Sequence, residues 1–156
     1  GGDTSWITPE WCVAASDQYG DIISQEPGIV TGARELLTYL TDKGYRLHLC
    51  SNGFHEVQYR KLQSSGLKGF FKTVVLSEDA GANKPRKEFF DYAFKVTGAE
   101  PAATILIGDN YDTDIMGALN AGIDSILFNR WNIDVNELQR KPTYVVEKLS
   151  NIENIL

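Results

Sequence analysis

The chain has 156 residues, a net charge of −6 from 15 Lys+Arg against 21 Asp+Glu, and 42% hydrophobic residues. Those values fit one folded domain with its own core and exclude disordered, collagen-like and low-complexity chains. The acidic balance argues against nucleic acid or an anionic membrane as the main partner. No apolar run is long enough to cross a bilayer, and the first twenty residues lack a basic-then-apolar leader pattern. Cys12 and Cys50, with no Cys-x-x-Cys pair, exclude a disulfide scaffold and a zinc ribbon and fit a reducing cytoplasm.

In chain order, residues 5–26 open with Thr8-Pro9-Glu10, an N-cap followed by Pro at the first helical position, which predicts a helix preceded by no strand. Glu26-Pro27-Gly28 then breaks the chain and reads as a hinge. It divides an accessory helical element, residues 1–27, from an α/β body, residues 28–156. Thr31 is the expected N-cap of a helix over Gly32–Lys43, with Leu36, Leu37 and Leu40 as its apolar stripe and Gly44 behind it. Further helices are expected over Phe54–Ser65, Lys87–Thr97 and Asp114–Ala121, each closed by a glycine. Phe89, Phe90, Ala93 and Phe94 are core at helical spacing. Between the helices lie four strand-length apolar runs, Tyr45–Cys50, Thr73–Leu76, Ala103–Ile107 and Asp124–Phe128. Three are almost wholly apolar, as strands buried on both faces of a parallel sheet are. A short strand at Tyr144–Val146 and a closing helix finish the chain. The alternation predicts a three-layer, Rossmann-like α/β fold.

Polar residues gather where three of these strands end. The first runs into Ser51-Asn52-Gly53, a loop after the second holds Lys84-Pro85, and the third stops at Gly108-Asp109, with Asp112 and Asp114 following. The carboxyl ends of parallel strands lie along one edge of a sheet, so these groups converge on one crevice. A hydroxyl, backbone N–H groups, a lysine and carboxylates suit a phosphate accompanied by a divalent cation.

The segments HLCSNG, GANKPRKEFF and LIGDNYDTDIMGALNAG, in that order, resemble the second, third and fourth motifs of the haloacid-dehalogenase-like (HAD) hydrolase superfamily. The resemblance runs from about Gly32 to the C-terminus. The linking text is most similar to the branch of pyrimidine 5′-nucleotidases and related small phosphatases. It implies that Ser51 hydrogen-bonds a transferring phosphoryl group with the backbone N–H of Asn52 beside it. Lys84 would neutralise charge on the phosphate and on the attacking carboxylate, Asp109 would ligate Mg²⁺, and Asp114 would orient that site from behind. A small phosphorylated metabolite or a nucleotide is the implied substrate.

The family's first motif, Asp-x-Asp-x-Thr, which supplies the aspartate nucleophile and the general acid/base, is absent upstream of Ser51. In the family it ends the central strand, and a helical cap separates it from the second motif. Residues 5–26 resemble the last helix of that cap. The expectation is therefore that the chain is the C-terminal part of a longer phosphatase and does not turn over esters alone. Its central strand would then come from that missing N-terminal segment, leaving a gap between the Tyr45–Cys50 and Ala103–Ile107 strands.

Plainer roles suit other residues. Asp112 is expected to be a capping or solvent-exposed acid, His55 a helix-start surface residue, His48 a satisfied histidine inside a strand, and Cys50 a buried thiol. Trp6, Trp11 and Tyr19 are expected to pack the cap. Two other HAD activities compete with the phosphatase reading, a 2-haloacid dehalogenase, which Gly108-Asp109 disfavours, and a phosphomutase. A non-catalytic module that binds phosphate and Mg²⁺ is the rival from another class.

Overall fold

A computed structural model describes residues 31–156 and the backbone of residues 12–16. Its strands are β1 (Cys12–Ser16), β2 (Arg46–Ser51), β3 (Thr73–Leu76), β4 (Thr104–Gly108), β5 (Asp124–Phe128) and β6 (Tyr144–Val146). They form one sheet in the order β3-β2-β1-β4-β5-β6 with every neighbouring pair parallel. The chain steps outward from β1 to β3 and then returns to β4 on the other side. The crevice beyond the carboxyl ends of β1 and β4 is therefore the topological switch point, where open α/β sheets bind ligands.

The helices are α1 (Ala33–Asp42), α2 (His55–Ser65), α3 (Ser77–Ala80), α4 (Lys87–Thr97) and α5 (Met116–Ala121). A π-helical turn, Tyr111–Ile115, leads into α5, and the expected closing helix is 3₁₀ in form, Leu149–Asn154. Alternate strand residues point to opposite faces and build two cores. On one face Leu36, Leu37 and Leu40 of α1 meet Leu47, Leu49, Ile105 and Ile107. On the other, Phe89, Phe90 and Ala93 of α4 meet Cys50, Val75 and Leu106. Each such side chain contributes about 2 kcal/mol on burial, so this double layer is what anchors the strand ends. Cys50 is buried, as expected. No helix among the described residues is long and apolar enough to cross a membrane.

The structure shifts two strands by one residue, so that Ser51 and Gly108 are the last residues of β2 and β4. Thr31 is not the cap of α1. Gly32 takes that place at φ 86, with no side-chain cap bond, because the chain enters the helix through a left-handed residue that only glycine adopts without strain.

The larger correction concerns residues 5–26, expected to be helical. Residues 12–16 are instead a strand, and they fill the gap for which a segment outside the chain was expected: Ala14 lies level with His48 on one side and with Leu106 on the other. Helical preference is worth only tenths of a kcal/mol per residue, whereas two unpaired interior strand edges would bury a row of orphaned N–H and C=O groups. Backbone pairing decides such a contest. The strand itself carries no carboxylate, and the sequence after it reads Asp17-Gln18-Tyr19 rather than Asp-x-Asp, so the first motif is not found here either. The remainder of the 1–27 element, the hinge, and Trp6, Trp11 and Tyr19 lie outside the described residues.

His48 is buried, but it is not satisfied: among the described residues neither ring nitrogen has a hydrogen-bond partner. Burial, with Arg46 and Lys72 adding repulsion, lowers its pKa to about 4. The unfolded chain then takes up a proton near pH 6.5 that the folded one refuses, so stability falls as pH drops from about 6.5 towards 4. Urea unfolding of His48→Leu should lose this part of the pH dependence while keeping its stability at pH 7.5. An unchanged pH profile would show that His48 is not its source.

Candidate functional site

The site rests on the place where β2 ends. Ser51 closes that strand with no exposed surface, and the next residue turns the chain outward. Asn52 uses both ends of its side-chain amide on one neighbour. Its Oδ1 accepts from the backbone N–H of Lys84 at 2.8 Å, and its Nδ2 donates to the Lys84 carbonyl at 3.2 Å. This two-point clasp fixes the Lys84 backbone against the end of β2. The sequence reading assigned Asn52 a role only through its backbone N–H.

From that position the Lys84 side chain runs under the sheet edge. Its Nζ donates to the Cys50 carbonyl at 3.0 Å and to Asp114 Oδ1 at 2.7 Å, and both charged side chains are wholly buried. The second Asp114 oxygen accepts from the backbone N–H of Asn110 at 3.2 Å, while Asn110 Oδ1 accepts from the N–H of Thr113. Two glycines make this packing possible. A Cβ on Gly108 would lie 2.6 Å from the Cβ of Asp114, and one on Gly117 would lie 2.6 Å from Phe90 Cζ and 3.3 Å from Pro85 Cα. Neither contact is tenable without moving the lysine loop or the acid. Gly117 is a contributor that carried no signal of its own in the sequence.

Asp109, the residue after β4, is nearly buried, with a side chain only 2% exposed. Its Oδ2 accepts from the indole Nε1 of Trp131 at 3.2 Å and lies 3.8 Å from Arg130 Nη1. Its Oδ1 is buried without a hydrogen-bond partner among the described residues. Desolvation, reinforced by the Asp114 charge, pushes the Asp109 pKa up to about 6, and Arg130 and the Trp131 hydrogen bond only partly offset this. Because the folded pKa lies above the usual value, an ionised Asp109 costs stability that is fully present above about pH 6. A hard cation against Oδ1 would remove that cost, and the chemistry of an unpartnered buried carboxylate oxygen fits one. Asp114 has both oxygens engaged and suits a supporting place behind it. Among the described residues no group of three or more His, Cys, Asp or Glu side chains is gathered in metal-binding geometry.

The structure thus links Asn52, Lys84, Asp114, Asn110 and Asp109 into one contiguous set, beside Ser51. Asp112 is exposed, as expected. His55 begins α2 at the surface and pairs through Nε2 with Asp79, whose hydrogen bond holds the imidazole pKa above its ordinary value. Trp131 and Arg130 escaped the sequence reading. The only signal was a basic-aromatic pair directly after a buried strand, on the edge where Asp109 needs partners.

Comparison with known proteins gives a consistent set of matches. The haloacid dehalogenase-like hydrolase family profile matches residues 10–128. The HAD-hydrolase YfnB of Bacillus subtilis is 34% identical over 140 residues, which are 89% of this chain and 59% of YfnB. The crystal structure of YfnB bound to magnesium superimposes with a TM-score of 0.79, covering 88% of this chain and 60% of that one. The pyrimidine 5′-nucleotidase PynA of Streptococcus pneumoniae is 32% identical over 142 residues, 90% of this chain and 60% of PynA. A glyceraldehyde 3-phosphate phosphatase of Methanothermobacter thermautotrophicus is 35% identical over 124 residues, 75% of this chain and 54% of that protein. The chain therefore spans about 60% or less of the length of these relatives.

The buried pair gives a direct test. Lys84→Met strands the Asp114 carboxylate in the interior and should lower the unfolding free energy by about 3 kcal/mol or more. The double variant Lys84→Met/Asp114→Asn should recover part of that loss in urea unfolding. A double variant less stable than Lys84→Met alone would show that the two charges do not depend on each other.

Proposed function

Because the chain belongs to the haloacid dehalogenase-like hydrolase family, we propose that it forms the phosphoryl-binding and cation-facing part of a Mg²⁺-dependent phosphomonoester hydrolase. The observation that carries this reading is the Lys84 ammonium, held at the end of β2 by Asn52, the Cys50 carbonyl and Asp114, on the same edge as Ser51 and Asp109. The nucleotidase and sugar-phosphate phosphatase activities of relatives support a nucleotide or another small phosphorylated metabolite as substrate. We place the reaction in the reducing cytoplasm, where Cys50 stays a thiol.

The roles follow from charge and geometry. Ser51 Oγ–H donates to a phosphoryl oxygen, with the N–H of Asn52 beside it. Lys84 sets one positive charge against the phosphoryl oxygens and against the carboxylate that attacks them, and its double anchoring removes the cost of reorganising it during the reaction. Asp109 would hold the cation, and Asp114 keeps both Lys84 and the Asn110 turn in place. When bound, Mg²⁺ neutralises charge that builds on the transferring group. Phosphoryl transfer goes to an aspartate carboxylate, giving an aspartyl-phosphate that water hydrolyses. Neither Asp109 nor Asp114 suits that nucleophile, since the first is assigned to the cation and held by Trp131 and the second is engaged by Lys84. We assign the attacking and proton-transferring acids to neither of them, and because residues 1–50 contain no Asp-x-Asp pair, the 156 residues alone are proposed to be inactive.

The test is phosphate release from nucleoside monophosphates and p-nitrophenyl phosphate. The intact protein should be active with MgCl₂ and lose activity in EDTA, while residues 1–156 alone should release none. In the intact protein Ser51→Ala should lower kcat about 10²-fold by removing a transition-state donor. Asp109→Asn should lower it at least as far and should abolish the rise in Tm that MgCl₂ produces. Activity that survives EDTA, or near-normal turnover in Asp109→Asn, would refute the assignment.

A further inference from the structure

Trp131 combines two properties that seldom occur together: it is 64% exposed, yet its one polar atom donates to a carboxylate that is almost fully buried. An indole that merely packs a loop buries its ring, and one that merely faces water needs no fixed partner. The loop holding it is built for precision. Asn129 Oδ1 accepts from the N–H of Ile133 at 2.9 Å, and Asn129 Nδ2 donates to the Ile133 carbonyl at 3.0 Å, which closes a ring around residues 130–132. Asn132 takes a left-handed φ of 54, a conformation that asparagine tolerates better than most residues, and this turns the chain back. The Arg130 guanidinium lies 4.7 Å from the Trp131 ring centroid and 5.9 Å from that of Phe128, so the indole is held by stacking as well as by its hydrogen bond.

All of this bears on one atom. The Trp131 N–H and the Arg130 charge both address Asp109 Oδ2, and among the described residues no hydrogen bond reaches Oδ1. A carboxylate held through one oxygen has less freedom to swing, so the direction of its other oxygen is restrained. That is what one-oxygen coordination of a small cation with strict geometry requires.

We propose that Trp131 is a positioning residue for the cation site: it pins Asp109 through Oδ2, with Arg130 stacked to hold the indole, and thereby aims Oδ1 at a divalent cation. The inference rests on the proposed function in one respect, that Asp109 is a cation ligand. It adds that the affinity of the site depends on an exposed indole after β5, and that this indole reports occupancy optically.

The experiment is a MgCl₂ titration of the intact protein, followed by calorimetry and by tryptophan emission, in wild type and in Trp131→Phe. Phenylalanine keeps a ring for Arg130 and removes only the donor. The variant should bind Mg²⁺ about tenfold more weakly, in line with the loss of an outer partner of a metal ligand. Its Tm without Mg²⁺ should fall only slightly, for loss of one hydrogen bond, and the Mg²⁺-dependent emission change of the wild type should disappear. Equal Mg²⁺ affinity in the two proteins would overturn the proposal while leaving Asp109 as a ligand. So would an emission change that persists without Trp131, or a fall in Tm with no loss of affinity. A wild type that binds no Mg²⁺ at all would overturn the reading of Asp109 and this proposal together.

Discussion

An ammonium and a carboxylate 2.7 Å apart, both without exposed surface, lie beneath the carboxyl edge of the sheet, and neither is tenable there without the other. Transfer of either charge from water costs several kcal/mol, and their attraction offsets that cost only when the remaining hydrogen-bonding capacity is also met. Here it is met by the backbone: the Cys50 carbonyl takes a second Lys84 proton, and the Asn110 N–H fills the second Asp114 oxygen. The pair therefore ties the end of β2 to the start of the π-turn after β4. These segments are far apart in sequence and meet only when the sheet is assembled.

Much of the surrounding structure serves that contact. Gly108 is small because the Asp114 side chain occupies the space a Cβ would need, and Gly117 is small because Phe90 and Pro85 press on it from α4 and the lysine loop. The two apolar layers hold β2 and β4 from both faces, so the groups at their ends stand on rigid elements rather than on mobile loops. Asp109 is the member left electrostatically unfinished, with a pKa raised to about 6 and one oxygen unpartnered. If the proposed cation binds there, it would relieve that unfavourable charge and gain affinity from doing so.

Legibility in the sequence tracked how local each feature is. The helix over Lys87–Thr97 and the strands at Thr73–Leu76, Asp124–Phe128 and Tyr144–Val146 lie where residue periodicity and closing glycines put them. Asp109 stood out because an acid directly after a buried strand needs a partner, and Ser51, Lys84 and Asp114 because the order of the motifs singled them out. The Asn52 clasp, the Gly117 contact and Trp131 were not visible, because each depends on a partner at least 22 positions away and on no repeating pattern. Residues 12–16 show the same limit from the other side. A strong local helix-start signal at Thr8-Pro9-Glu10 did not prevent a strand nearby, since a vacant place between two sheet edges outweighs local preference.

By itself, then, the sequence determined the class of fold, the edge of the sheet on which the polar groups gather, and the family to which the chain belongs. Those properties follow from hydrophobic period, turn chemistry and motif order, all written within a few residues of one another. Only the tertiary structure decided that Asp114 is spent on Lys84, that Asp109 keeps one oxygen open, and that an exposed indole grips the other. Such assignments depend on which buried charges find each other across the sheet, and burial and pairing exist only once the chain has folded.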